Sequence, residues 1–69
     1  MVNTNDIEEL KSLWTKGIER TYKTKGKYKV TSACEVVFRV YEFDKNKDVW
    51  SLLYQTMSPE KALDYFNKF

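Results

Sequence analysis

The apolar residues near the start of the chain recur at helical spacing. They are Ile7, Leu10, Trp14 and Ile18. Residues three and four positions apart lie on the same face of a helix, so this pattern predicts one apolar helix face turned towards a core. Asn5 is a good N-cap residue, and Glu8 follows three residues later, as in a capping box. We therefore predict a helix over about residues 6–22.

The middle of the chain is typical of a sheet. Residues 28–43 are rich in β-branched and aromatic side chains, and alternate positions from Tyr28 to Val40 are mostly apolar. A single strand over this run would be more than about 50 Å long at about 3.3 Å per residue, well beyond the usual length. A bend or bulge between Ser32 and Cys34 should therefore divide it into strands over about residues 27–32 and 34–43.

A polar segment over residues 44–48 separates that run from a second apolar one, which predicts a strand over about residues 48–56. Together they indicate an antiparallel hairpin with a loop of about four or five residues. Ser58 and Pro59 then provide an N-cap and a proline at the first helical position. A short helix over about residues 59–68 follows, with its apolar side chains on one face.

These elements predict one α+β domain over residues 1–69. It consists of an N-terminal helix, an antiparallel β-meander of two or three strands and a C-terminal helix packed on the sheet, in the order α-β-β-β-α or α-β-β-α. A chain of 69 residues buries only about 60% of the surface that its unfolded form exposes, and its one cysteine, Cys34, excludes an internal disulfide. Since 16% of the residues are aromatic, ring packing and oligomerisation are the expected sources of additional burial.

Several kinds of chemistry are poorly supported by this sequence. It contains no histidine and only two glycines, so neither a histidine-based acid–base site nor a glycine-rich phosphate loop is expected. Asp44, Asn46 and Asp48 resemble the start of a calcium-binding EF-hand loop, but Val49 replaces its invariant glycine and Gln55 its bidentate glutamate. We therefore expect a non-enzymatic protein with no catalytic residue, no cofactor and no metal site.

The expected location is cytoplasmic. The first residues lack the charged and then apolar order of a signal peptide, and the longest apolar run is three residues. A membrane-spanning helix needs about 20. We accordingly expect no membrane partner.

The clearest outward-facing feature is a lysine comb formed by Lys23, Lys25, Lys27 and Lys29. On an extended chain these side chains would share one face. Three interpretations are open. Lys25, Lys27 and Lys29 could protect an edge strand from unwanted pairing, steer an acidic protein partner, or contact phosphates while Tyr22 or Tyr28 stacks on bases. Lys23 also fits a charge at the C-terminal end of the first helix.

The predicted hairpin has large apolar groups on both faces, and two helices would cover only one of them. We expect the second face to pack against another chain, most simply in a two-fold homodimer. The sequence thus favours a small protein-binding or regulatory module, of the type encoded by phages and mobile elements, with an unidentified and possibly acidic protein partner. The alternative is nucleic-acid binding through the comb. The partner-binding residues that we predict are Lys25, Lys27, Lys29, Tyr28, Tyr41, Phe43, Trp50 and Tyr54.

Overall fold

A computed structural model describes residues 3–13, 18–34 and 36–69 of the chain. Its elements are α1 (Thr4–Ser12), β1 (Arg20–Lys25), β2 (Tyr28–Cys34), β3 (Val37–Asp44), β4 (Val49–Thr56) and α2 (Pro59–Phe66). The strands form one antiparallel sheet in the order β1-β2-β3-β4. The predicted α+β class, with a helix on either side of a meander in the chain, is confirmed, and the sheet has four strands where two or three were predicted.

The additional strand lies where the first helix was predicted to continue. α1 ends at Ser12 instead of residue 22, and its N-cap is Asn3, whose side chain accepts a hydrogen bond from the Asn5 backbone N–H at 2.8 Å. β1 contains β-branched and aromatic residues and pairs with β2, which satisfies its backbone groups. Ile18, expected on the helical core face, is 56% exposed. Trp14 lies outside the described residues.

The chain reverses direction tightly between the strands. Gly26 and Lys27 form a two-residue hairpin between β1 and β2, in which Gly26 has a φ of +59°. Glycine adopts this left-handed conformation without steric penalty. β2 shows a register shift between Ser32 and Cys34, and the chain then turns into β3. The irregularity thus lies where it was predicted, but β2 continues through Cys34 and the next strand begins only at Val37.

The turn from β3 to β4 has four residues, as predicted. The Asp44 side chain accepts hydrogen bonds from the backbone N–H groups of Asn46 at 2.9 Å and Lys47 at 3.3 Å. Asp48 closes the turn with a φ of 55°. These aspartate and asparagine residues thus shape a turn, which is a common role for both.

Both helices pack on the same face of the sheet. α2 contacts β2, β3 and β4, while α1 contacts α2 and β2. Ser58 caps α2 by accepting a hydrogen bond from the Lys61 backbone N–H at 3.2 Å, and Pro59 follows it as predicted. The buried apolar core consists of Leu10, Val30, Phe38, Val40, Ala62, Leu63 and Phe66. Within the described ranges, no helix is long and apolar enough to span a membrane.

Candidate protein-binding surface

Cross-strand pairing shows which side chains share the other face of the sheet. Val30 pairs with Val40, and both belong to the helix-covered core. Their neighbours point the opposite way, since successive side chains of a strand alternate between faces. Lys29 pairs with Tyr41, Tyr41 pairs with Leu52, and the next pair on that side is Phe43 with Trp50. We call this side of the sheet the open face, because the core residues of α1 and α2 pack against the opposite side.

An aromatic patch, formed by Tyr41, Phe43, Trp50 and Leu52, occupies one end of the open face. The rings of Phe43 and Trp50 meet edge to face, with centroids 5.2 Å apart and an interplanar angle of 64°. Trp50 is 38% exposed and Leu52 is 52% exposed. A tryptophan and a leucine so accessible within one cluster are typical of a surface that a partner covers.

A lysine lies directly on this patch. The Lys29 ammonium nitrogen is 4.4 Å from the Trp50 ring centroid and 5.2 Å from that of Tyr41. Both distances suit a cation–π interaction, which attracts the ammonium to the negative face of the ring. The patch therefore combines apolar area with a fixed positive charge.

An open groove of about 600 Å³ continues from the patch past the two neighbouring turns. It is lined by Thr24, Gly26, Lys27, Phe43, Lys45 and Trp50. The Lys27 ammonium lies 2.9 Å from a carboxylate oxygen of Glu42, and this hydrogen bond raises the pKa of Lys27. Lys45 is exposed in the turn between β3 and β4. Lys29 and Lys45 thus form a basic rim beside the aromatic patch, whereas Lys27 lines the groove but directs its ammonium to Glu42 on the helix-covered side.

The other end of the open face is polar and internally bonded. The Glu19 carboxylate accepts hydrogen bonds from Thr31 at 2.8 Å and Tyr41 at 2.9 Å, and it pairs with Arg39 at 3.2 Å. Arg39 also donates to the Gln55 side chain at 2.9 Å. Burial by itself would raise the pKa of Glu19, but these hydrogen bonds and the charge of Arg39 hold that pKa below its usual range.

The same network fixes the position of Tyr41. Burial and the hydrogen bond to Glu19 raise the pKa of Tyr41, against the opposing effect of Arg39, so its hydroxyl is neutral at physiological pH. Because its hydroxyl is anchored at the polar end, the ring of Tyr41 is presented to the patch in a defined orientation. Such preorganisation reduces the entropy lost when a partner binds.

The lysines of the comb do not all lie on one face of the sheet, as they would on a fully extended chain. The chain reverses at Gly26 and Lys27, so Lys25 pairs with Tyr28 on the helix-covered face while Lys29 lies on the open face. Lys25 donates to the backbone oxygen of Phe69 at 3.0 Å, and its nitrogen is 5.3 Å from the Phe66 ring centroid. Lys25 therefore helps to hold the end of α2 and does not contribute to the aromatic patch.

Lys23 also has a different role from the one expected. It lies in β1 and not at the end of a helix, and its ammonium is 3.8 Å from the Asp6 carboxylate in α1. Protection of an edge strand fits Lys23 and Lys25, since β1 is at the edge of the sheet. It does not fit Lys29, because β2 is an inner strand.

Tyr28 and Tyr54, both predicted partner-binding residues, are on the helix-covered face. Tyr28 stacks on Phe69 with centroids 3.9 Å apart, and Tyr54 stacks on Tyr65 at 4.7 Å. Alternation predicted that Tyr54 would share a face with Trp50. Leu52 pairs with Tyr41 and Tyr54 pairs with Val40, so Leu53 between them is the extra residue of a bulge in β4. This one-residue shift places Tyr54 on the face opposite that of Trp50.

The structure therefore brings together Lys29, Tyr41, Phe43 and Trp50, with Lys27 lining the adjacent groove, and separates them from Lys25, Tyr28 and Tyr54. Sequence reasoning missed Leu52, whose place on the open face depends on the bulge, and Lys45, which follows Asp44 in a turn. It also missed the ion pair between Glu19 and Arg39, because opposite charges alone do not indicate which residues of a chain pair. Comparisons of the chain with protein-family models, curated proteins and solved structures gave no significant match.

Proposed function

We propose that this protein is a small, non-enzymatic binding or regulatory module that captures a protein partner on the aromatic patch. The observation that carries this proposal is the exposed Trp50 ring, packed against Phe43 and covered in part by the Lys29 ammonium. Tryptophan and tyrosine are among the residues that contribute most to protein–protein affinity. A partner that covers Trp50 and Leu52 would remove substantial apolar area from water.

The basic rim favours an acidic partner. Lys29 already lies on Trp50, so its charge does not require a new ligand for local compensation. Charges at the edge of an interface act mainly on the association rate and on the choice of partner. We accordingly assign the affinity for the partner to the aromatic rings, and the association rate and choice of partner to the lysines.

The experiment that tests this proposal is comparative capture from the source cell with quantitative mass spectrometry. The tagged protein, Trp50→Ala and Val36→Ala are used in parallel. Val36 is 50% exposed in the turn before β3, whereas Trp50 pairs with Phe43 near the other end of that strand. Val36→Ala therefore removes exposed apolar area away from the patch and serves as the control for Trp50→Ala.

We expect at least one protein to be retained by the wild type and by Val36→Ala and to be lost with Trp50→Ala. Circular dichroism establishes that each variant remains folded. Identical sets of proteins captured by the wild type and by Trp50→Ala would contradict the proposal.

A second candidate function is the binding of single-stranded nucleic acid. It is favoured by the groove, whose lining includes the Trp50 ring and Lys45, because bases stack on such rings while lysines contact phosphates. Two phosphate contacts, from Lys29 and Lys45, would give a log–log salt slope of about −1.4 on a single strand. Titration of an oligonucleotide at low and moderate salt distinguishes this function from protein binding.

A further inference from the structure

The two edges of the sheet differ sharply in charge. β1 contains Arg20, Lys23 and Lys25 among its six residues, whereas none of the eight residues of β4 is charged. Both edge strands have a bulge, at Tyr22 and at Leu53, so charge is what distinguishes them. An exposed edge strand without charge is a ready template for pairing with another strand.

The side chains of β4 are also unusually accessible for their type. Val49 is 48% exposed and Leu53 is 36% exposed, in addition to Trp50 and Leu52 of the aromatic patch. Apolar side chains on both faces of β4 would gain cover if another strand were added beside it.

We propose that β4 pairs in antiparallel fashion with β4 of a second copy of this chain, so that two sheets join into one continuous eight-stranded sheet. Charge and symmetry favour this pairing over the other two that the edges allow. Pairing of β1 with β1 would bring like charges together. Pairing of β1 with β4 is heterologous and would leave a free edge on each side, so it would not close.

The pairing of β4 with β4 is limited to two copies. The strand order of the dimer begins with β1 of one copy and ends with β1 of the other, so both outer edges carry Arg20, Lys23 and Lys25. These basic edges resist the addition of a third copy.

Dimerisation would also change the proposed binding surface. The two-fold axis of an antiparallel strand pair is perpendicular to the sheet, so both open faces lie on the same side. Because Trp50 and Leu52 are on β4, the two aromatic patches would meet near that axis. The role of this enlarged surface in binding a partner rests on the proposed function, whereas the strand pairing itself does not.

Ser51→Lys tests the pairing without removing an apolar group. Ser51 is exposed in β4 and pairs with Glu42 on the helix-covered side of the sheet, so the aromatic patch is retained. Asn46→Lys is the matched control, because it adds the same charge in the exposed turn beyond the strand. The mass in solution is measured by size-exclusion chromatography with light scattering at tens of micromolar.

We expect twice the monomer mass for the wild type and for Asn46→Lys, and a dissociation constant raised about tenfold or more by Ser51→Lys. Hydrogen exchange provides a second measurement on the unmodified chain: the β4 amides should lose protection on dilution. The pairing would be overturned if the wild type stayed monomeric. It would also be overturned if Ser51→Lys left the dimer intact while Trp50→Ala dissociated it. Capture of a protein partner by Ser51→Lys monomers would still support the proposed function, so the two can fail separately.

Discussion

The Lys29 ammonium lies 4.4 Å from the centroid of the Trp50 ring, and this contact spans β2 and β4 across the intervening strand β3. The same ammonium is 5.2 Å from the ring of Tyr41, which is the β3 residue that pairs with Lys29. One cation therefore links two rings of the aromatic patch. A substitution at Lys29 changes both the charge of the open face and the support of its exposed tryptophan.

Lys29→Gln should lower the free energy of unfolding by about 0.5–1 kcal/mol, because the cation–π contacts with Trp50 and Tyr41 are lost. Lys47→Gln is the matched control, since Lys47 is exposed in the turn between β3 and β4. Urea denaturation of both variants measures the effect. Equal stabilities for the two variants would show that the contact with Trp50 contributes nothing to folding.

The core should be sensitive at Phe38, which is 1% exposed and packs among Val30, Val40 and the residues of α2. Phe38→Ala should cost about 3–5 kcal/mol, enough to unfold a domain of this size. Phe38→Leu should retain the fold with a smaller loss, and Val36→Ala, at a site 50% exposed, should change the stability by less than about 0.5 kcal/mol. Chemical denaturation that ranked Val36→Ala with Phe38→Leu would contradict the described core.

The stabilising effect of Glu19 should depend on pH. Its pKa in the folded protein lies below the ordinary glutamate value of 4.5, so the stabilisation by its ionised form is complete above that ordinary value. It is lost as the pH falls through the lower pKa of the folded state. We expect Glu19→Gln to be less stable than the wild type at neutral pH, with a difference that disappears in acid.

Glu8→Gln controls for the general loss of a carboxylate, because Glu8 is exposed in α1 and is not part of the Glu19 network. Thermal denaturation of the three proteins over a pH series makes the comparison. A difference between wild type and Glu19→Gln that stayed constant down to strongly acidic pH would refute the assignment.

Tyr22 should stabilise the docking of α1. Its hydroxyl lies 3.1 Å from an Asp6 carboxylate oxygen and 2.9 Å from one of Glu9, and burial together with these hydrogen bonds raises the pKa of Tyr22. Tyr22→Phe should cost about 0.5–1.5 kcal/mol and accelerate hydrogen exchange in α1. Tyr65→Phe is the control, since the substitution keeps the ring that stacks on Tyr54. Unchanged exchange in α1 of Tyr22→Phe would contradict this role.

Local chemistry was sufficient to predict part of the fold. Ser58 and Pro59 mark the start of α2 because capping depends on neighbouring residues alone. The alternation that includes Val30, Phe38 and Val40 identified the core face of β2 and β3, since burial imposes a period of two on a strand.

Features that depend on pairing between distant residues were not predictable. The first residues of β1, 20–22, lie within the predicted helix because Ile18 continues the helical spacing, while the strand is stabilised by its ladder with β2. The bulge at Leu53 depends on how β4 aligns with β3, so no local pattern indicates that Tyr54 lies on the face opposite Trp50. Four of the predicted site residues, Lys29, Tyr41, Phe43 and Trp50, nevertheless lie on one surface, and their binding of a partner stays a prediction.

The central claim is that a protein partner covers the aromatic patch on the open face. NMR titration of the isotopically labelled protein with the captured partner tests it most directly. We predict that the indole N–H resonance of Trp50 and the methyl resonances of Leu52 shift or broaden, while the methyl resonances of Ala62 and Leu63, which are buried between α2 and the sheet, stay unchanged. Changes confined to the exposed side of α2 or to β1, with Trp50 and Leu52 unaffected, would contradict the claim.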